Sequence, residues 1–265
     1  MDAVIISMVK NDCDVIEPFL RHNARFADLV VLLDNGSTDQ TRTIAHDTAR
    51  DLGNVIVADW PEKAYNQSAI LSQALRYVQS AVFADYVIFL DVDEFLYPPD
   101  RDMLRAALSV LQPGSIGLVP WRTLVPNPHV KPPGRLDPLA RMTLVRATET
   151  PQYYKAILRM AGATAPGLIV KQGSHSVADA TGATLPNTIL KDIHLWHAPV
   201  RSSEQVLSKG AIGWRANLMR KDATPGQAWH WQRLHDMAEQ GRNLEPEALA
   251  LEALNYACNT PSDTL

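Results

Sequence analysis

Asp91-Val92-Asp93-Glu94 follows directly on the apolar stretch Tyr86-Val87-Ile88-Phe89-Leu90. Carboxylates therefore stand where a buried parallel strand would emerge at its carboxyl end. On an extended backbone, residues two apart face the same way, which predicts Asp91 and Asp93 on one side and Val92 on the other. Two like charges that close repel. A hard divalent cation relieves the repulsion and keeps positions for water and phosphate oxygens, as Mg2+ or Mn2+ does in phosphate chemistry. The expected ligand is a metal diphosphate, and the plainer alternative is a solvated acidic turn.

Two further polar clusters end apolar runs. Asp34-Asn35-Gly36-Ser37-Thr38-Asp39 follows residues 29–33, and Lys10-Asn11-Asp12 follows residues 4–8. In an open α/β sheet both lie at the edge that carries Asp91, where ligands bind. Asp34 can accept from ribose hydroxyls or base N–H groups, Asn11 can bond a base, and Lys10 a phosphate. Gly36 lets the chain turn, while Thr38 or Asp39 either meets the ligand or caps the next helix.

The elements that must position these residues are visible in the hydrophobic pattern. Short apolar, often β-branched runs at 4–8, 29–33, 55–58, 86–90 and 116–119 alternate with helical patterns, which predicts an α/β fold with a mostly parallel, Rossmann-like sheet flanked by helices. Ile70, Leu71, Ala74, Leu75, Val78, Ala81 and Val82 recur at helical spacing and form one apolar stripe. Prolines 120, 126, 128, 132 and 133 predict a loop over 120–134, and a loop of that kind often touches substrate. Ile157-Leu158 and Leu168-Ile169-Val170 read as strands beside the main sheet. Hydroxyls at Ser202 and Ser203 announce a helix to about 221, with two more near 226–240 and 246–257, so the end of the chain reads as a mainly helical C-terminal subdomain. The expected division is 1–120, 121–200 and 201–265.

Composition narrows the function. The 265 residues are 46% hydrophobic and 20% charged, and 25 basic against 29 acidic residues leave a net charge of −4, with no basic excess for nucleic acid. No apolar run approaches the roughly 20 residues of a membrane-spanning helix. Cys13 and Cys258 are too few and too distant for a disulfide scaffold or zinc site, and the opening residues read as a strand rather than a secretion signal, so a cytoplasmic location is expected. Arg215, Arg220 and Lys221 near Trp214 suit either peripheral contact with anionic lipid or a solvated helix face.

With these three strand ends together, the chain resembles the family 2 glycosyltransferases of the GT-A fold. The likeness is greatest to a branch near family 92, whose metal motif reads Asp-x-Asp-Glu-Phe, here Asp91 to Phe95. Asn11, Glu17 and His22 match the family's opening pattern, and Asp34 to Asp39 its Asp-Asn-x-Ser-x-Asp segment. Lys155 to Arg159, Gly173 to Val177, and His197 to Ser202 with Lys209 resemble the downstream signature of this branch. The resemblance implies a metal-dependent transfer, with inversion, from a nucleotide-diphosphate sugar, UDP-linked before other bases. The acceptor it implies is a glycan, a lipid-linked or a small-molecule hydroxyl. It further implies that Gln67 touches the nucleotide sugar and that His197 completes the shell of Asp91 and Asp93, with His175 and His194 as rivals. An imidazole suits Mn2+ better than Mg2+. Arg201 and Lys209 are candidates to neutralise the departing diphosphate.

One part of the family pattern is missing. The Glu-Asp pair from which many relatives take their catalytic base occurs nowhere in this chain. Glu94 is the first candidate for the base, His175 an alternative, and Asp137 and Asp179 complete the set. The acceptor is expected beneath the segment 120–134. Two other readings stay open: a binding or scaffold module of the same fold without turnover, and a phosphotransferase in which Asp91 is the nucleophile.

Overall fold

Both faces of β1 (Ala3–Val9) are covered, as an almost wholly apolar strand requires, and its one polar side chain, Ser7, donates to Leu90 C=O at 2.8 Å. The chain continues through α1 (Ile16–Asn23), β2 (Leu29–Asp34), α2 (Thr41–Leu52), β3 (Val55–Asp59), α3 (Gln67–Ala81), β4 (Tyr86–Asp91), β5 (Glu94–Tyr97) and α4 (Arg101–Leu108). After these come β6 (Ile116–Val125), β7 (Leu144–Val145), β8 (Tyr154–Arg159), β9 (Ile169–Val170), β10 (Val177–Ala178), β11 (Asn187–Ile189) and β12 (His194–His197). Three helices follow, α5 (Ser203–Leu218), α6 (Trp229–Glu239) and α7 (Pro246–Asn255). The computed structural model describes residues 3–61, 66–98, 100–131, 138–161, 167–218 and 229–258. Asp137, Pro132, Pro133, Arg220, Lys221 and the expected helix start at 226–228 lie outside these.

Contacts divide the chain into two units. The first holds residues 1–61, 66–122 and 152–197, the second 62–65, 123–151 and 198–265. In the first, the strand order is β3-β2-β1-β4-β8-β6-β12-β5. The four strands β3, β2, β1 and β4 run parallel, β8 pairs antiparallel with β4 and β6, and β12 pairs antiparallel with β5. The architecture is mixed α/β, with a mostly parallel sheet flanked by helices.

The apolar stripe of α3 is buried as far as Val78, while Ala81 is exposed and Val82 is the C-cap residue. Ile70, Leu71, Ala74, Leu75 and Val78 pack on Val4, Ile6, Val87 and Phe89 in one buried cluster. Each Ile, Leu, Val or Phe side chain among them contributes about 1.5–3 kcal/mol by leaving water. Asn66 starts the helix by accepting Ala69 N–H, and α2 stops at Gly53, whose φ of 75° closes a left-handed cap.

The structure corrects one expectation of the fold. The strand at 116 does not end at Pro120 but runs to Val125. Trp121 N–H donates to Tyr153 C=O at 3.1 Å across the β8 edge. Alternation along a strand then turns the missing Pro120 donor to the other edge, so no bond to β8 is lost.

The second unit is built on α5, α6 and α7, whose core joins Val206, Leu207, Leu234, Leu249 and Ala253 to Val125 and Val200. Ser202 Oγ accepts Gln205 N–H at 3.1 Å, the expected cap of α5. Where α5 meets α6, a Cβ on Gly210 would stand 2.3 Å from the Leu234 Cβ, so only glycine permits that approach. Arg146 and Glu149, each 8% exposed, form an ion pair at 2.8 Å. Glu149 also receives Thr123 N–H at 2.6 Å, while Arg146 donates to the carbonyls of Ala253 and Tyr256 at 2.7 and 2.8 Å, at the end of α7.

Candidate active site

Register brings the three polar clusters to one edge of the sheet. Val9 stands opposite Asp34, and Met8 opposite Asp91, in parallel pairings. Lys10 and Asn11 thus leave β1 beside the ends of β2 and β4. Asn11 has φ 54°, a left-handed conformation that asparagine tolerates. Its Oδ1 accepts Thr38 N–H at 2.8 Å, and its own N–H donates to Ser37 Oγ at 3.0 Å. Asp34, 3% exposed, accepts Ser37 N–H. Asp39 accepts Thr41 N–H at 2.9 Å, at the first residue of α2. Asn11, Asp34 and Asp39 therefore shape the loop.

The acidic motif differs from the extended geometry expected of it. Asp91 is the last residue of β4, Val92 and Asp93 form a turn, and Glu94 opens β5. The turn is closed by Asp91 N–H donating to Glu94 Oε2 at 2.9 Å. Both oxygens of Asp91 are held from the protein side: Gln67 Nε2 donates to Oδ1 at 2.8 Å, and Lys155 Nζ to Oδ2 at 2.5 Å. The Asp91 side chain keeps 35% of its surface exposed, so the anchored carboxylate still faces outward.

Lys155 also lies 3.2 Å from Glu94 Oε2, with 1% and 0% of the two side chains exposed. Burial by itself would depress the Lys155 ammonium, but Asp91 and Glu94 beside it hold it above the ordinary lysine value. Burial pushes the Glu94 carboxyl well above the ordinary range, against the downward pull of Lys155. A carboxyl with no exposed surface is placed to close the turn, not to meet an acceptor hydroxyl. Asp179 likewise spends Oδ1 on the N–H groups of Thr181 and Ala183.

Antiparallel pairing of β12 with β5 sets His197 opposite Glu94 and His194 opposite Tyr97. His197 Nε2 consequently lies 3.7 Å from Asp93 Oδ1, while its ring packs 4.2 Å from Trp121. His194 sits at the other end of the strand, its ring 4.7 Å from both Tyr97 and Trp196. His175 bonds Tyr154 C=O through Nδ1 at 2.7 Å. Among the described residues, no three His, Cys, Asp or Glu side chains gather into a metal-binding group. Asp93 and His197 are nonetheless a carboxylate and an imidazole in reach of one another, a donor set that fits Mn2+ when phosphate oxygens complete the shell.

Arg201 and Lys209 belong to the second unit. Arg201 lies two residues before α5 and is fully buried, its guanidinium donating to Ala198 C=O at 3.1 Å, so it does not share a helix face with Lys209. Lys155 escaped the sequence reading as a site residue, although a lone lysine inside the apolar run Tyr154-Lys155-Ala156-Ile157-Leu158 is a signal of a buried partner. Asn23 escaped it too: Nδ2 donates to Glu94 C=O at 2.9 Å and Oδ1 accepts Leu96 N–H at 3.0 Å, fixing β5 to α1. His22 assists through Nε2, 2.7 Å from Leu96 C=O.

The model of glycosyl transferase family 2 matches residues 4–131, the stretch that carries Lys10, Asn11, Asp34, Gln67, Asp91 and Asp93. The match spans just under half of the chain and assigns a glycosyltransferase family 2 domain to residues 4–131. Comparison with curated proteins gives no match. Among solved structures, TarS of S. aureus is similar at a TM-score of 0.47 and 17% identity over 88% of this chain and 42% of its own. A mannosyltransferase of Pyrobaculum calidifontis, solved with GDP-Man and Mn2+, gives 0.46 and 18% over 98% of this chain and 76% of its own. Glucosyl-3-phosphoglycerate synthase of Mycobacterium tuberculosis, in complex with Mn2+, uridine-diphosphate and phosphoglyceric acid, gives 0.33 and 18% over 45% and 43%. The chain thus spans less than half the length of TarS and of the synthase. No helix among the described residues is long and apolar enough to cross a membrane.

Proposed function

We propose that this chain transfers a sugar from a nucleotide-diphosphate donor, UDP-linked before GDP-linked, to an acceptor hydroxyl with inversion. The observation that carries the reading is Asp91: a half-exposed carboxylate held by Gln67 and Lys155 at the sheet edge where β1 and β2 also end. The family 2 domain over residues 4–131 supports it. Residues 1–120 form the donor-binding half, with Lys10, Asn11 and Asp34 beside the nucleoside. Residues 121–200 form the acceptor side, residues 201–265 a helical part, and the acceptor is a glycan, a lipid-linked or a small-molecule hydroxyl.

Asp93 and His197 are the residues that would hold Mn2+, with Asp91 next to them and Mg2+ the weaker fit. When bound, such an ion supplies positive charge for the diphosphate as the glycosidic bond breaks. Asp91, fixed through both oxygens, orients the donor without reorganising. A net charge of −4, without basic excess, fits a small-molecule or glycan partner rather than nucleic acid.

The test is release of nucleoside diphosphate from a panel of UDP- and GDP-sugars with Mn2+, with Asp91→Ala as the comparison. Release that the substitution abolishes supports the reading. Silence across the panel supports a scaffold without turnover, and phosphate trapped on Asp91 supports a phosphotransferase.

A further inference from the structure

Inverting transfer requires a base on the acceptor hydroxyl, and neither a Glu-Asp pair nor an exposed Glu94 supplies one. Six residues of the first unit form a closed ring that points to another group. Gln67 Nε2 donates to Asp91 Oδ1 at 2.8 Å, and Gln67 Oε1 accepts Gly173 N–H at 3.0 Å. Gly173 lies against the imidazole of His175, and His175 Nδ1 bonds Tyr154 C=O at 2.7 Å. Tyr154 is joined by its peptide bond to Lys155, whose Nζ returns to Asp91 Oδ2 at 2.5 Å. The imidazole is therefore fixed relative to the donor carboxylate from two sides.

The ring also fixes the tautomer. A carbonyl only accepts, so Nδ1 carries the proton and Nε2 of the neutral ring keeps its lone pair. A Cβ on residue 173 would stand 2.4 Å from that Nε2, and Gly173 has φ 71°, so only glycine lets the backbone approach this edge of the imidazole so closely. Trp121 and Tyr153 brace the imidazole at centroid distances of 5.5 and 5.4 Å. His175 remains half-buried. Burial holds it below its ordinary value; the Tyr154 carbonyl opposes this, Lys155 adds to it, and Asp91 opposes it.

We propose that His175 is the general base of the transfer, an assignment that rests on the donor-site reading above. The acceptor O–H bond breaks, its proton passes to His175 Nε2, and the oxygen forms the new bond to the anomeric carbon. The bond from that carbon to the diphosphate oxygen breaks, and its electron pair leaves with the nucleoside diphosphate. The imidazolium then returns its proton to solvent.

The experiment compares wild type with His175→Asn, whose amide keeps a donor for Tyr154 C=O but offers no basic nitrogen. Hydrolysis of UDP-glucose, UDP-N-acetylglucosamine and GDP-mannose, with water as acceptor, reports turnover; calorimetry with UDP and GDP reports donor binding. The expected result is a ~100-fold or greater fall in kcat with donor affinity and Tm unchanged. Turnover within threefold of wild type in a variant that still binds nucleotide overturns the base alone, whereas a wild type that binds no nucleotide overturns the donor site and the base with it. If His175→Asn lowers Tm, His175→Ala with added imidazole replaces it: recovery of turnover supports the assignment, and no recovery in a folded variant overturns it.

Discussion

Lys155 Nζ lies 2.5 Å from Asp91 Oδ2, with 1% of the lysine side chain exposed. The repulsion built into the acidic motif is thus met from within the fold, because the same ammonium reaches Glu94 Oε2 at 3.2 Å. Asp91 is a presented carboxylate, not a bare one.

Replacing that cation leaves the fully buried Glu94 carboxyl without its counter-charge, beside the partly exposed Asp91 carboxylate. Lys155→Met is expected to cost about 3 kcal/mol or more, since removing one partner strands buried charge. Lys155→Arg should recover part of the loss. Urea unfolding measures both, and a Met variant within 1 kcal/mol of wild type would contradict the pairing.

Gly173→Ala should act on His175. The new methyl would stand 2.4 Å from Nε2, at a backbone position with φ 71° that an L side chain resists. Nucleoside diphosphate release should fall more than nucleotide binding does. Equal activity in the two proteins would show that the imidazole gives way freely.

The buried pair Arg146–Glu149 closes α7 through the Ala253 and Tyr256 carbonyls. Arg146→Met should quicken hydrogen exchange along α7 and lower Tm by several degrees. Unchanged α7 protection would argue against the clamp.

Acid should weaken the fold through His194. Burial, reinforced by Arg122, pushes its imidazole down to about 4, while the unfolded chain titrates near 6.5. Above pH ~6.5 neither state is protonated and stability is full; between ~6.5 and ~4 the unfolded chain alone binds the proton, so stability falls as pH falls. His194→Phe should flatten the Tm profile across that window, and identical slopes would refute the assignment.

The strand ends were legible because each apolar run stops at a polar cluster: Met8 before Lys10, Leu33 before Asp34, Leu90 before Asp91. The hydrophobic period alone fixes those boundaries, and with parallel pairing it fixes the shared edge. The turn at Val92 and Asp93 was not legible, since it is set by Glu94 reaching back to Asp91 N–H and by Asn23 holding β5 from another helix. Lys155 is 64 positions from its partner Asp91, and only register on β8 brings them together. Pro120 misled because composition does not tell which edge of a strand carries a missing donor.

Calorimetry of UDP and GDP, with and without Mn2+, tests the central claim most directly. The account predicts nucleotide binding that requires the ion and is lost in Asp93→Asn while the variant keeps its Tm. A flat titration of the folded wild-type protein with both nucleotides and Mn2+ would contradict it.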